Sequence, residues 1–281
     1  MIFRKICPAI GCVVEGFDWA RPAVPSAVSE VYDALLEHQT LVFPKAAPTA
    51  EQHLAFASCF GALDEPHPVY PNVDGYRHIV LLESTAETPP DTNSWHTDLT
   101  FKATQPFASV LVARTVPECG GDTLWASLYS AYDRLSDGLK ADLENLEAVH
   151  DLGDFRNTVG LDEANRGGAQ RLNEAVGRFG HQIRPLVAEH PVTKRRFLNF
   201  NEAFVTHIMG LTTNESNALR TLLANHMSRP EIQMRWRWSA GDVVMWDNRV
   251  TMHYAVSDYL PNYRVMNRIT LLDDRLGSAR G

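Results

Sequence analysis

Trp95-His96-Thr97-Asp98 puts an imidazole and a carboxylate two positions apart, the one His-x-Asp spacing among 11 histidines. In a strand or its extension, positions i and i+2 face the same side, so both groups can reach one ion. The spacing alone is a weak signal, because short motifs of common residue types arise by chance. A second histidine strengthens it: His253 lies within Trp246-Asp-Asn-Arg-Val-Thr-Met-His253-Tyr-Ala255, a run with strand character. Two imidazoles and one carboxylate leave open positions on a divalent metal, the ligand set associated with non-heme Fe(II) oxygen chemistry. Arg264 and Arg268 follow on the next apolar run. Their guanidinium forks suit a carboxylate or another oxyanion. A zinc hydrolase with a His-Asp-His site is the competing reading. The paired arginines add an oxyanion clamp to the site. His38, His53, His78, His150, His181, His190, His207 and His226 show no ligand spacing and read as core or surface residues. No Ser-His-Asp or Cys-His signature is evident.

The elements that must position these groups can be read from periodicity. Ile2–Glu15 reads as a strand pair, Ala27–His38 shows helical spacing, and Leu41–Phe43 reads as a short strand. Thr49-Ala-Glu-Gln52 has the capping-box pattern and starts a helix. The Pro-rich stretch Glu65-Pro-His67-Pro-Val-Tyr70-Pro71 predicts a loop. Short apolar runs follow at Ile79–Leu82, Phe107–Ala113, Thr123–Ala126, Ile183–Ala188 and Phe197–Phe200. Others lie at Ile232–Trp238, Val243–Trp246, Thr251–Val256 and Val265–Leu272, with helices at Leu128–Leu146 and Asn214–Met227. Many short strands with turn punctuation mean a sandwich or barrel. We read 1–281 as a single, mainly β domain with flanking helices. The polar, Gly- and Arg-rich stretch Gly153–Gly180 reads as a lid or insertion over a site.

Composition bounds the setting. The 281 residues carry a formal net charge of −8, which supplies no basic stripe for a phosphate backbone and argues against nucleic acid. No apolar run approaches the roughly 20 residues of a membrane span. Four cysteines in so long a chain make no disulfide framework, and with no secretory signal evident they fit a reducing cytoplasm.

Six ordered blocks carry a resemblance: His67-Pro-Val-Tyr70-Pro71, Trp95–Phe101, Gly120-Gly-Asp-Thr-Leu-Trp125, Arg235-Trp-Arg-Trp238, Trp246–Ala255, and Asp258-Tyr-Leu-Pro261 through Arg264 to Arg268. Over nearly its full length the sequence resembles the TauD/TfdA family of Fe(II)/2-oxoglutarate-dependent dioxygenases. The resemblance implies a double-stranded β-helix (jelly-roll) core, with His96, Asp98 and His253 as catalytic iron ligands. It implies that 2-oxoglutarate and O2 are cosubstrates and that Thr123 and Arg264 hold the distal carboxylate of 2-oxoglutarate. It also implies a small anionic substrate, with taurine or a related sulfonate the leading choice and sulfite the product. His67, Tyr70, Thr92, Leu99, Val159, Phe204 and Arg268 would line its pocket. Thr92 replaces an asparagine of the taurine-type pattern, Leu99 a valine and Val159 a phenylalanine. These departures keep an alkyl sulfate, a phosphonate or a secondary-metabolism acid open. A homo-oligomer, dimer or tetramer, is a further implication of the resemblance.

Overall fold

The protein is described by a computed structural model at residues 1–65, 70–87, 89–90, 94–153 and 177–279. Strands β1 (Ile2–Lys5), β2 (Cys12–Glu15), β3 (Thr40–Phe43), β4 (Asn72–Val73), β5 (Tyr76–Ser84), β6 (Ala108–Thr115), β14 (Val243–Asp247) and β16 (Arg264–Leu271) form the large sheet. Its order is β1-β2-β3-β14-β6-β16-β5-β4. A small sheet, β13 (Gln233–Trp236), β7 (Thr123–Ser127) and β15 (Thr251–Ala255), faces it in the order β13-β7-β15. Two sheets packed face to face make the jelly-roll core.

The pleat of β14 explains why its sequence reads as an unbroken apolar run. All five of its residues, Val-Val-Met-Trp-Asp, are buried, because both faces are covered. Val243 and Met245 pack outward with Val31, Leu35 and Phe56 of helices α1 (Pro25–His38) and α2 (Ala50–Ser58). Val244 and Trp246 pack inward with Trp125 and Met234 of the small sheet. Phe56 also meets Phe43, Phe60 and Trp19 edge-on or tilted, so truncating it to Ala would cost about 3–5 kcal/mol. Thr49 and Gln52 form the expected capping box at the start of α2.

Two expected elements are split. Instead of one helix over Leu128–Leu146, α3 (Leu128–Asp133) and α4 (Asp137–Leu143) are separated by Ser136, whose hydroxyl accepts from Leu139 N–H and starts the second helix. The run Ile183–Ala188 divides at Pro185 and Leu186. β9 (Gln182–Pro185) pairs with β8 (Glu147–His150), and β10 (Val187–Glu189) pairs with β11 (Arg196–Leu198). Proline ends the first ladder because it donates no hydrogen bond. β12 (Val205–Ile208) completes the order β12-β8-β9, and α5 (Thr213–Met227) packs beside it behind a second capping box at Thr212 and Glu215. Within the expected lid, residues 154–176 lie outside the described residues. Among the described residues, no helix is long and apolar enough to cross a membrane.

Candidate metal centre

The histidine ligand candidates meet by backbone pairing. His253 is central in β15, where it pairs with Trp125 of β7 and therefore faces the space between the sheets. His96 adds one antiparallel bridge to the other edge of β15: its N–H donates to His253 O at 3.0 Å and accepts back through its own carbonyl at 2.8 Å. The two rings lie 4.1 Å apart between centroids. The Thr97 hydroxyl locks the bridge by donating to Thr251 O at 2.9 Å.

Asp98 arrives by a different route from the one its spacing suggests. The chain does not continue extended after His96; it turns, with Leu99 left-handed at φ 54°. That conformation costs a non-glycine residue about 1–2 kcal/mol. At this turn the carboxylate meets the large sheet. There Asp98 accepts from Ser109 Oγ of β6 at 3.2 Å and from Arg268 Nη1 of β16 at 3.2 Å. The centre thus bridges both sheets, with imidazoles on the small one and a carboxylate braced on the large one. His96 Nε2 and His253 Nε2 lie 3.7 and 3.9 Å from Asp98 Oδ1, and the possible ligand atoms of the three residues all fall within 4.8 Å of one another. All three side chains are buried.

Burial keeps the His253 imidazole ready for a metal. Burial, with His96 and Arg268 adding to it and Asp98 opposing, pushes the His253 pKa down to about 3. A neutral imidazole is the ligating form, so no proton must be expelled from His253 at neutral pH. His96 Nδ1 faces Ser94 O at 2.9 Å, which turns Nε2 toward Asp98. His253 Nδ1 and Arg268 Nε have no hydrogen-bond partner among the described residues.

Behind the triad, Asn248 binds the ligand segment to the turn before β15. Its Oδ1 accepts from Asp98 N–H at 2.9 Å, while its Nδ2 donates to Asp98 O at 2.9 Å and to Pro106 O at 3.2 Å. Sequence reasoning passed over Asn248 and Ser109. Asn248 lies inside the Trp246–Ala255 block, which is the signal for the first; nothing in the sequence marked the second.

Arg264 and Thr123 lie further along the same interior. Arg264 begins β16 on the face of Met266 and Arg268, and it is buried. Burial holds its guanidinium below its ordinary pKa, with Tyr259 and Asp122 pulling the other way. Its Nε has no protein acceptor among the described residues. Gly121 makes room for it: at φ +71° with Arg264 Cδ only 3.2 Å from where a Cβ would stand, this position admits no larger residue without strain. Thr123 follows two residues later at the start of β7, buried, facing the interior with Trp125.

Of the expected substrate residues, Leu99 and Phe204 come together. They form an apolar cluster with Phe101, Leu152 and Ala203, and the Phe204 ring stands edge-on to His96 at 6.3 Å. Phe101 and Leu152 were not anticipated. Arg268 reaches the triad itself, on Asp98. Tyr70 is half-buried at the sheet edge, just before Pro71, whose carbonyl accepts from Leu81 N–H of β5. His67, Thr92 and Val159 lie outside the described residues.

A two-histidine, one-carboxylate centre between the sheets of a jelly roll, with a buried arginine for an anion, defines a non-heme Fe(II) oxygenase architecture. The chain matches the taurine catabolism dioxygenase TauD, TfdA family over residues 3–270, and it belongs to that family. It is an Fe(II)- and 2-oxoglutarate-dependent dioxygenase. It is 36% identical to an alkylsulfatase of Acinetobacter baylyi, across 99% of this chain and 87% of the relative. It is 34% identical to an alpha-ketoglutarate-dependent sulfate ester dioxygenase of Pseudomonas putida, across 95% and 88%. The crystal structure of a taurine dioxygenase from Burkholderia xenovorans superposes with a TM-score of 0.82 at 34% identity, covering 97% of this chain and 89% of that one.

Proposed function

We propose that the protein hydroxylates the carbon beside a sulfur oxyanion in a small, largely apolar molecule, an alkyl sulfonate or an alkyl sulfate ester. The hydroxylated carbon then collapses to an aldehyde, releasing sulfite from a sulfonate or sulfate from an ester. The observation that carries this reading is the apolar wall of Leu99, Phe101, Leu152 and Phe204 beside a centre that also holds Arg268. An alkyl chain gains about 25 cal/mol for each Å² it buries against such a wall, whereas an ammonium group would be desolvated without recompense. The names of the relatives from Acinetobacter baylyi and Pseudomonas putida support the sulfate ester form, and the taurine dioxygenase likeness supports the sulfonate form.

In this reading His96, Asp98 and His253 hold Fe(II), which with 2-oxoglutarate and O2 supplies the oxidising power while 2-oxoglutarate becomes succinate and CO2. Arg264 and the Thr123 hydroxyl take the distal carboxylate of 2-oxoglutarate. Arg268 neutralises Asp98 in the free protein and offers its remaining N–H groups to the substrate oxyanion, with His67, Tyr70, Thr92 and Val159 completing the pocket. The apolar wall excludes water and fixes which C–H faces the metal. The net charge of −8 is thereby reversed locally, where two arginines and a divalent metal meet two anions. We place the reaction in the cytoplasm, in keeping with four free cysteines.

The test is an anaerobic incubation of the Fe(II)-loaded protein with 2-oxoglutarate, to which oxygen and a panel of sulfonates, sulfate esters, phosphonates and carboxylic acids are added. Substrate-stimulated succinate with equimolar sulfite or sulfate is expected for short alkyl members. If no sulfur oxyanion stimulates succinate while a phosphonate or carboxylic acid does, this substrate class is wrong.

A further inference from the structure

The block Arg235-Trp-Arg-Trp238 has no part in the centre as described, yet both its ends grip consecutive residues of the Gly-Gly-Asp-Thr segment. Arg235 Nε donates to Asp122 Oδ2 at 2.6 Å, and Trp238 Nε1 donates to Thr123 Oγ1 at 2.9 Å. Trp238 is buried, its ring 6.1 Å from that of Trp125. The second contact has a directional consequence. An indole N–H can only donate, whereas a hydroxyl has one proton to give and can accept as well. With a lone pair of Oγ1 engaged by the indole, the Thr123 proton points elsewhere. It is available to a group that can only accept, and an ionised carboxylate is such a group.

We propose that Trp238 is a positioning residue that commits the Thr123 hydroxyl to donate to the distal carboxylate of 2-oxoglutarate. This rests on the reading that Thr123 and Arg264 hold that carboxylate. Two donors in series, indole to hydroxyl to carboxylate, polarise each other, so the second bond is stronger than an isolated threonine would give. The indole also removes the cost of ordering a free hydroxyl rotor when the ligand arrives.

The experiment is a calorimetric titration of the anaerobic Fe(II)-protein with 2-oxoglutarate and, separately, with 2-oxobutanoate, which has the same chelating end and no distal carboxylate. Thr123→Val should weaken 2-oxoglutarate about tenfold, the loss expected for a hydrogen bond to a charged group. Trp238→Phe, which keeps a packing ring and deletes the donor, should weaken it several-fold in the wild-type background and have no further effect in the Thr123→Val background. Neither change should alter 2-oxobutanoate binding. If Trp238→Phe weakens both ligands equally, or weakens 2-oxoglutarate as much without Thr123, the indole acts only by packing and the proposal falls. If Thr123→Val itself leaves 2-oxoglutarate affinity unchanged, the reading of the carboxylate pocket falls first, and the proposal with it. Should Trp238→Phe fold poorly, replacing Trp238 with benzothienylalanine, the same shape with sulfur for N–H, decides on the same criteria.

Discussion

Two buried polar clusters sit on either side of the turn that leads into β15, and they are built on opposite principles. On one side Asp247 accepts from Arg249 Nε at 2.9 Å, from Arg249 Nη2 at 2.6 Å, and faces His190 Nε2 at 3.1 Å. Arg249 reaches on to Asp274 at 2.9 Å, and Tyr32 donates its hydroxyl to the same carboxylate at 2.7 Å. His190 Nδ1 accepts from the N–H groups of Val192 and Thr193, which assigns its proton to Nε2 and makes it the donor to Asp247. Each charge in that cluster has an opposite charge or a donor against it. On the other side the metal triad leaves His253 Nδ1 and the Nε atoms of Arg264 and Arg268 without protein partners among the described residues. A closed network fixes the backbone. An open one leaves guanidinium N–H groups unspent, and such groups suit bound anions.

The sharpest break between the two comes from removing one aspartate from each. Asp98→Ala should abolish turnover and the visible absorption that develops when 2-oxoglutarate chelates Fe(II), and because it strands the buried Arg268 it should also lower the stability of the metal-free protein. Persistence of the band would show that Asp98 is not a ligand. Asp247→Asn should cost stability alone and spare the absorption band. It strands the buried Arg249 and should cost about 3–5 kcal/mol in urea unfolding, with the absorption band retained wherever the protein remains folded. An Asp247→Asn protein of wild-type stability would mean that the network is not closed in solution.

Asn248 lies on the boundary and should show both effects at reduced size. Asn248→Ala strips partners from Asp98 N–H, Asp98 O and Pro106 O in a buried site, a loss of about 1–3 kcal/mol. Because Asn248 holds the ligand's backbone, Fe(II) affinity should also fall by about 10–100-fold, as for other residues that orient metal ligands. Equilibrium dialysis of Fe(II) beside urea unfolding separates the two. A stability loss with unchanged metal affinity would place Asn248 wholly in the closed network.

How far this contrast could be read beforehand differs between its halves. The grouping of His96, Asp98 and His253 is legible because metal chemistry restricts residue types; Thr123 is marked only by the family resemblance. The apolar runs gave most strands to within a residue or two, since two covered faces leave no room for polar residues. Legibility ended where tertiary contact overrides local pattern. Leu99 is left-handed in the turn that follows Asp98, and no periodicity encodes that. Ser136 and Pro185 broke elements that apolar spacing alone joined. The closed network drew on Tyr32, His190 and Asp274, whose proximity is a property of topology.

The smallest expected effect tests whether burial, rather than the open site, governs acid sensitivity. His53 is fully buried in the helix-facing core, with Nε2 3.2 Å from Val110 O, and burial pushes its pKa down to about 3. His253 in the open cluster is pushed down to about 3 as well, again chiefly by burial. Above pH 6.5 both residues are neutral in the folded and unfolded chains, and neither makes stability depend on pH. Below it the unfolded chain takes up protons that the folded chain refuses, so stability falls as pH drops through 6.5 toward 3. Each such histidine contributes a slope of about 1.4 kcal/mol per pH unit. Asp247 works in a lower window. Burial opposes its charge, but Arg249 and His190 prevail and hold its pKa below the ordinary 3.8, so its contribution is intact down to that pH and is lost only beneath it. Between pH 6.5 and 4.5 the slope of the metal-free protein includes His53, His253 and His150, the last also pushed down to about 3 by burial. His53→Gln and His253→Gln should each flatten the urea-unfolding slope in that range by about one proton, while only His253→Gln removes Fe(II) binding. Equal flattening with unequal metal binding would separate what burial does from what the site does; a slope unchanged by His53→Gln would show that the core histidine is reached by protons before the chain unfolds.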